Sequence, residues 1–158
     1  MERLWAPWRM EYILKCRQPG CFLCDAFQSE SDREYLIIKR SSACALIMNR
    51  YPYNNGHLMA IPYRHVDSLE GLRPEEQADM MALAATACVR LREVVHAQGF
   101  NLGINQGTAA GAGLKDHVHL HIVPRWEGDT NFMPVLADVK VIPQPLLELW
   151  EQLHGAFR

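Results

Sequence analysis

Long hydrophobic runs and a strong excess of one charge are both missing from this sequence. No stretch approaches the roughly 18 to 20 consecutive apolar residues that a membrane-spanning helix requires. Residues 1–9 lack the continuous apolar segment of a secretory signal, so we expect a cytoplasmic protein without a membrane partner. Lysine and arginine number 16 against 18 aspartates and glutamates. This balance argues against binding to a nucleic-acid polymer, whose affinity comes from a basic surface, but not against a small nucleotide pocket.

The number of cysteines bears on the chemistry of the chain. The 158 residues include five cysteines, and an odd number in a cytosolic protein indicates reduced thiols or metal ligands rather than disulfides. Hydrophobic residues make up 49% of the sequence and charged residues 22%, which is typical of a globular protein with its own core. We therefore predict a single domain over residues 1–158.

Short apolar segments separated by turn-forming residues predict a sheet covered by helices. Proline suits the first position of a helix, so a long helix is predicted from Pro74, with apolar residues every three or four positions and Gly99 as its end. A short C-terminal helix is predicted over residues 144–153. The five predicted strands are residues 35–39, 43–48, 57–62, 100–105 and 116–124. Strands adjacent in sequence favour antiparallel pairing, so the fold class is α+β.

Three histidines alternate with aliphatic residues in the fifth predicted strand. In an extended strand, His117, His119 and His121 lie on one face and the aliphatic side chains on the other. An ordinary half-exposed strand would not need histidine at all three positions. Two interpretations stay open: the imidazoles hold a metal ion, as in some zinc hydrolases, or one is a nucleophile or base whose neighbours fix its tautomer.

A glycine-rich loop precedes these histidines. Gly107, Gly111 and Gly113 are separated by small residues, so backbone N–H groups there can approach an anion closely. Many glycine-rich loops are simple turns. Next to three histidines, however, this loop predicts a phosphate site beside a nucleophile.

One segment resembles the signature of a known family. Residues 116–123, Asp-His-Val-His-Leu-His-Ile-Val, are similar to the His-φ-His-φ-His-φ-φ signature (φ apolar) of the histidine triad, or HIT, family. The similarity extends to residues 3–10, 49–62, 103–107, 110–113 and 124–126, and is strongest to the bacterial branch that contains dinucleoside polyphosphate phosphorylases. The resemblance implies a HIT-like fold, a homodimer, and an enzyme that hydrolyses or transfers nucleoside monophosphates.

The resemblance also implies a role for each matching residue. His119 would attack the α-phosphate and form a covalent nucleotidyl-imidazole intermediate, which water or inorganic phosphate would release. His121 would donate a hydrogen bond to a phosphate oxygen, and His117 completes the catalytic triad. Asn105 would be a further catalytic residue, near the scissile phosphate. The nucleotide-binding positions would be Asn49 at the ribose, His57 as an orienting or simply structural residue, and the backbone around Gly111, Ala112 and Gly113. Residues 114–116, Leu-Lys-Asp, replace a serine or threonine that assists the leaving group in some members, so the leaving group stays open.

Cys21 and Cys24 form a Cys-x-x-Cys pair, which suits either metal or redox chemistry. Adding Cys16 gives the C-x4-C-x2-C spacing of plant-type ferredoxins. A fourth iron–sulfur ligand would have to be Cys44 or Cys88, but one lies within a predicted strand and the other on an apolar helix face. An iron–sulfur cluster is therefore disfavoured.

A zinc site follows from the family resemblance. In zinc-bearing relatives, a histidine after the third strand and the first triad histidine complete the site that a Cys-x-x-Cys pair begins. The resemblance therefore implies a structural Zn²⁺ held by a Cys2His2 set, with a zinc-binding segment at about residues 16–27. The four implied ligands are Cys21, Cys24, His65 and His117.

Three functions from different classes stay open on the sequence alone. The first is an enzyme that cleaves dinucleoside polyphosphates such as diadenosine tetraphosphate, by phosphorolysis or hydrolysis, with nucleoside phosphoramidates as alternative substrates. The second is a nucleotide-binding protein with a vestigial triad, and the third is a metal-sensing or redox domain. The intact His119 favours the enzyme.

Overall fold

The structure, a computed structural model, describes residues 20–129 and 141–158. The resemblance at residues 3–10 and Cys16 lie outside the described residues. The elements in chain order are α1 (Phe22–Gln28), α2 (Asp32–Tyr35), β1 (Ile37–Arg40), β2 (Cys44–Met48), β3 (Leu58–Pro62), α3 (Pro74–Val95), β4 (Gly99–Ile104), β5 (Leu120–Arg125) and α4 (Leu146–Ala156). The strands form one sheet in the order β1-β2-β3-β5-β4, with every neighbouring pair antiparallel. The predicted α+β class, with one long helix and a C-terminal helix, is confirmed.

Strand register determines which residues lie on each face of the sheet. Met48 pairs with Leu58, and Leu58 pairs with Ile122, so these buried side chains form one row. Cys44 lies on the same face as Met48, and its thiol contacts a backbone carbonyl of α3. The core between sheet and α3 therefore occupies this face. His121, adjacent to Ile122, lies on the other face.

The long helix begins where the sequence predicts but ends earlier. Pro74 is its first residue, and the Glu76 carboxylate accepts the backbone N–H of the N-cap residue at 2.8 Å. The expectation that Gly99 ends the helix is wrong. His96 adopts a left-handed conformation with φ 54°, which stops the helix at Val95, and Gly99 instead begins β4.

Two strands begin two or more positions later than predicted. Tyr35 closes the short helix α2 and Leu36 has a φ of 60°, so β1 starts at Ile37 rather than at position 35. The fifth strand starts at Leu120 rather than at position 116. Just before it, the Val118 N–H donates at 2.7 Å to a carbonyl in the segment that follows β3, outside the sheet.

The C-terminal helix covers one edge of the sheet. α4 starts after Pro145, two positions beyond the predicted start at 144, and runs to Ala156. In β1, the Ile37 carbonyl accepts the Trp150 indole N–H at 3.1 Å, and the next carbonyl lies 3.2 Å from His154 Nδ1. These contacts occupy backbone groups of an edge strand that would otherwise be free to pair with another chain. None of the described helices is both long and apolar enough to cross a membrane.

Candidate active site and metal centre

Two of the three histidines, His117 and His119, lie just before β5 and His121 lies within it, and all three are buried. The exposed fractions of His117, His119 and His121 are 0%, 7% and 8%. The rings of His119 and His121 meet edge to face with centroids 4.7 Å apart, whereas the ring of His117 lies 5.1 Å from that of His65. The histidines therefore divide between two neighbouring groups, with the second and third facing one site and the first belonging to another.

A backbone carbonyl fixes the tautomer of His119. The Nδ1 atom lies 2.9 Å from the carbonyl oxygen of His117. Because that oxygen can only accept, Nδ1 carries the proton and Nε2 keeps its lone pair. Burial lowers the pKa of His119, so its ring is neutral near pH 7. A neutral imidazole with an unprotonated Nε2 is a competent nucleophile.

A backbone amide fixes the other two tautomers at the site. The Tyr53 N–H donates to His57 Nδ1 at 3.1 Å, so His57 carries its proton on Nε2. That Nε2–H then donates to His121 Nδ1 at 2.9 Å. His121 consequently carries its own proton on Nε2, where it is a hydrogen-bond donor.

Both members of this pair are held neutral. Burial, followed by the neighbouring imidazoles of His121 and His119, lowers the pKa of His57 to about 3. Burial and the nearby His119 lower the pKa of His121 to about 4. Both pKa values lie well below 7, so at neutral pH the hydrogen bond joins two uncharged rings.

Two asparagines flank these imidazoles. Asn49 directly follows β2, and its Oδ1 accepts the Tyr51 N–H at 2.9 Å while its Nδ2 lies 3.4 Å from His57 Nδ1. Asn105 directly follows β4. Because Ile104 pairs with Leu120 in the antiparallel β4–β5 ladder, Asn105 is the next residue across from His119. Asn49 therefore contacts the His57–His121 pair, whereas the strand register relates Asn105 to His119.

The glycine-rich loop adopts a compact turn of its own. Gly107 and Gly111 have φ of 80° and 79°. This left-handed backbone conformation is strained in residues that carry a Cβ atom, so it favours glycine. The Gly111 N–H donates to Thr108 and the Ala112 N–H to Gly107, at 3.0 and 3.3 Å. These two amides are therefore engaged within the loop in this conformation, while Gly113 is exposed.

Four side chains converge into a second cluster beside the histidine pair. The ligand atoms of Cys21, Cys24, His65 and His117 all lie within 4.8 Å of one another. The Cys21 and Cys24 sulfurs lie 3.3 and 3.8 Å from His117 Nδ1, and Cys24 Sγ lies 3.4 Å from His65 Nδ1. Tetrahedral zinc with bonds of about 2.3 Å to sulfur and 2.0 Å to nitrogen would separate such atoms by roughly 3.5 Å. The donor set and its spacing fit Zn²⁺.

Local structure aims these ligands at a common point. Cys21 is the N-cap of α1 and Cys24 lies in its first turn, so the zinc-binding segment predicted at about residues 16–27 is helical from Phe22 onward. The carbonyl of Pro62 lies 2.8 Å from His117 Nε2, which places the proton there and leaves the Nδ1 lone pair facing the sulfurs. Burial lowers the pKa of His117, which favours the neutral form that binds metals.

Two contributors at the site escaped the sequence analysis. Tyr53 supplies the amide that sets the tautomer of His57, and Pro62 supplies the carbonyl that orients His117. Both act through backbone atoms, which leave no signature in residue type. The only available signal for Tyr53 was its place inside the family-like segment 49–62.

Comparisons with known proteins agree with this geometry. A family model described as HIT domain matches residues 30–128. An AP-4-A phosphorylase of Mycobacterium tuberculosis is 42% identical over 154 residues, which cover 92% of this chain and 79% of the relative. A bis(5'-nucleosyl)-tetraphosphatase [asymmetrical] of Schizosaccharomyces pombe is 33% identical over 93 residues, or 59% of this chain and 50% of that protein. The crystal structure of a Zn-bound histidine triad family protein from Mycobacterium smegmatis superposes with a TM-score of 0.71 and 29% identity, covering 87% of this chain and 92% of the other. The chain therefore belongs to the HIT family.

Proposed function

We propose that this chain is an enzyme that cleaves dinucleoside polyphosphates, such as diadenosine tetraphosphate, through a covalent nucleotidyl intermediate on His119. The observation that carries the proposal is the hydrogen bond from His119 Nδ1 to the carbonyl of His117, which leaves a buried, neutral Nε2 with a free lone pair. The similarity to an AP-4-A phosphorylase over 92% of the chain supports this substrate class.

The reaction divides into two displacements at the α-phosphorus. In the first, His119 Nε2 forms a bond to phosphorus while the bridging P–O bond breaks, and the leaving nucleotide departs with the electron pair. In the second, phosphate or water attacks the same phosphorus and the N–P bond breaks, which restores the imidazole. An uncharged nucleophile avoids the repulsion that a carboxylate would meet at an anionic centre.

The neighbouring residues stabilise the phosphate in this scheme. His121 donates its Nε2–H to a nonbridging oxygen, where charge builds up in the transition state. Asn105, across from His119, offers an amide beside the reacting phosphate, and Asn49 offers one toward the ribose. Gly113 is the position of the glycine loop that we assign to the phosphate chain, since the Gly111 and Ala112 amides already donate within the loop.

A structural zinc ion is the second part of the proposal. Cys21, Cys24, His65 and His117 would hold it, as supported by their spacing and by the zinc-bound relative of known structure. When bound, the ion supplies a crosslink between α1 and the approach to β5 rather than a reacting group. Its ligand His117 also provides the carbonyl that orients His119. Metal binding at His117 would therefore also restrict the position of the nucleophilic His119 ring.

We also propose a single domain and a cytoplasmic homodimer. Exposed apolar side chains on β4 and α3, at Leu102, Met81 and Val89, support the dimer. β4 is an edge strand of the sheet, so its backbone is open to pairing with a second copy. Light scattering coupled to size-exclusion chromatography tests this directly, with twice the mass of one chain as the expected result.

One assay tests the enzymatic proposal and its two variants. The protein is incubated with diadenosine tetraphosphate, with and without inorganic phosphate, and the nucleotides are quantified. ADP plus ATP appearing only with phosphate identifies a phosphorylase, while AMP plus ATP without phosphate identifies a hydrolase. His119→Ala should abolish turnover, and His154→Ala, a histidine on α4 away from the site, should not. Absence of turnover in the unaltered protein, or full turnover in His119→Ala, contradicts the proposal.

A further inference from the structure

Tyr53 contacts two imidazoles of the site without belonging to the core. Its side chain is 56% exposed and is absent from the residues that pack against the core of the described chain. Its ring centroid lies 4.6 Å from that of His57 and 5.6 Å from that of His121. Those two imidazoles are 5.1 Å apart. The Tyr53 ring therefore packs against both imidazoles that are joined by the hydrogen bond between His57 Nε2 and His121 Nδ1.

The backbone holds this residue in place independently of its side chain. The Tyr53 N–H donates to His57 Nδ1 at 3.1 Å, and the turn before it is held by the Asn49 side chain, which accepts the Tyr51 N–H. Every residue except proline carries the same backbone donor. A substitution at position 53 can therefore remove the ring while leaving the contact that sets the tautomer of His57.

Without the Tyr53 ring, water could reach the hydrogen bond between His57 and His121. A hydrogen bond between two imidazoles keeps its direction where the surroundings are dry and few alternative partners exist. A water molecule between the rings would accept from His57 Nε2–H and could either donate to His121 Nδ1 or accept from a protonated Nδ1, which would bring both tautomers of His121 within reach. The face of an aromatic ring offers packing but no competing acceptor of comparable strength. The titratable groups that face the pair are His119, next to His121, and the Tyr53 phenol itself.

We propose that the ring of Tyr53 is a positioning element for His121, which it keeps in the single tautomer whose Nε2–H is directed to the bound phosphate. Tyr53 acts through His121 and does not touch the reacting atoms. The inference deepens the proposed function and depends on it for its catalytic consequence. Its structural content, one tautomer of His121 maintained by an aromatic cover, stands independently.

Two substitutions separate the ring from its hydroxyl. Tyr53→Ala removes the ring, and Tyr53→Phe restores the ring without the hydroxyl. Leu147→Ala, an exposed apolar side chain on α4, serves as the matched control for loss of a surface side chain. Two quantities are measured at pH 7 in each protein: the ¹⁵N shifts of the His121 ring nitrogens, which report its tautomer, and kcat and KM for diadenosine tetraphosphate.

The expected pattern is specific to a positioning role. Tyr53→Ala should show averaged ¹⁵N shifts for His121 and a kcat lowered about tenfold, the loss expected from one aromatic contact, with KM changed little. Tyr53→Phe and Leu147→Ala should keep the single tautomer of His121 and a kcat close to that of the unaltered protein. Unaltered ¹⁵N shifts and kcat in Tyr53→Ala overturn the inference. Equal impairment in Tyr53→Phe also overturns it, because the effect would then belong to the hydroxyl. If the unaltered protein shows no turnover, the proposed function fails, and the ¹⁵N comparison still decides the role of the ring.

Discussion

At the scale of single residues, backbone atoms determine the tautomers of His57 and His119 directly and that of His121 through the His57 ring. The carbonyl of His117 holds the proton of His119 on Nδ1, and the amide of Tyr53 directs the protons of His57 and His121 onto Nε2. Backbone groups keep their donor or acceptor character at any pH at which the chain is folded. The nucleophilic lone pair of His119 and the donor N–H of His121 are therefore consequences of the fold.

The burial of His57 and His121 predicts that the free energy of unfolding falls in mild acid. In the unfolded chain a histidine takes up a proton below its ordinary pKa of about 6.5, but folded His57 and His121 stay neutral down to a pKa of about 3 and about 4. The unfolded state therefore binds more protons, and stability that is fully present above pH 6.5 falls as the pH is lowered toward 4. The slope reaches at most about 1.4 kcal/mol per pH unit for each such histidine. Urea unfolding at pH 7 and pH 5 measures this loss.

His57→Gln is the control for this pH dependence, since glutamine retains hydrogen-bonding capacity but does not titrate. The variant should lose less unfolding free energy between pH 7 and pH 5 than the unaltered protein. Equal losses in the two proteins would mean that His57 is not held neutral by burial.

At the scale of elements, α1 and the approach to β5 meet at the four-ligand cluster. Cys21 and Cys24 come from α1, and His117 comes from the segment that carries His119. We predict about one equivalent of zinc in protein purified without chelator. Cys21→Ser should retain less than half an equivalent and unfold at a lower temperature, because a tetrahedral structural site needs all four ligands.

A second cysteine on another element provides the comparison for the metal prediction. Cys88 lies on α3, away from the cluster, so Cys88→Ser should keep a full equivalent of zinc. Elemental analysis of the three proteins in parallel measures this. Zinc content that is low in the unaltered protein and unchanged in Cys21→Ser would refute the metal site.

The covered edge at β1 gives a prediction of its own. Trp150→Phe keeps most of the aromatic packing but leaves the Ile37 carbonyl without its indole donor. An unsatisfied buried acceptor costs on the order of 1 to 3 kcal/mol of unfolding free energy, which chemical denaturation resolves. Leu147→Ala on the exposed side of the same helix should change stability by less than about 0.5 kcal/mol. Equal free energies of unfolding for the two variants would show that the indole hydrogen bond does not stabilise the covered edge of β1.

The elements themselves were largely predictable, and the exceptions share a cause. Short apolar segments bounded by turn-forming residues located all five strands, and the apolar period after Pro74 located α3. The start of β1 and the end of α3 depend instead on the left-handed residues Leu36 and His96, a conformation uncommon for any residue other than glycine. The start of β5 follows a backbone contact of Val118 outside the sheet, which residue type does not reveal. The helix that begins at Phe22 was missed because its seven residues are too few for a periodic pattern.

At the scale of the whole molecule, the fold brings together residues that lie far apart in the sequence. His57 directly precedes β3 and His121 lies in the neighbouring strand β5, and Cys21 and His117 meet although they are 96 positions apart. The family resemblance predicted which residues converge. The tautomers, the engaged amides of the glycine loop and the ring of Tyr53 depend on backbone geometry and packing, and these follow only from the three-dimensional structure.

The most direct measurement traps the intermediate itself. The protein is mixed with diadenosine tetraphosphate, quenched within the first turnovers under alkaline denaturing conditions that preserve phosphoramidates, digested and analysed by mass spectrometry. The account predicts an AMP adduct on the peptide that contains His119, present in the unaltered protein and absent from His119→Ala. Turnover without any adduct on that ring, or an adduct on another residue, would contradict it.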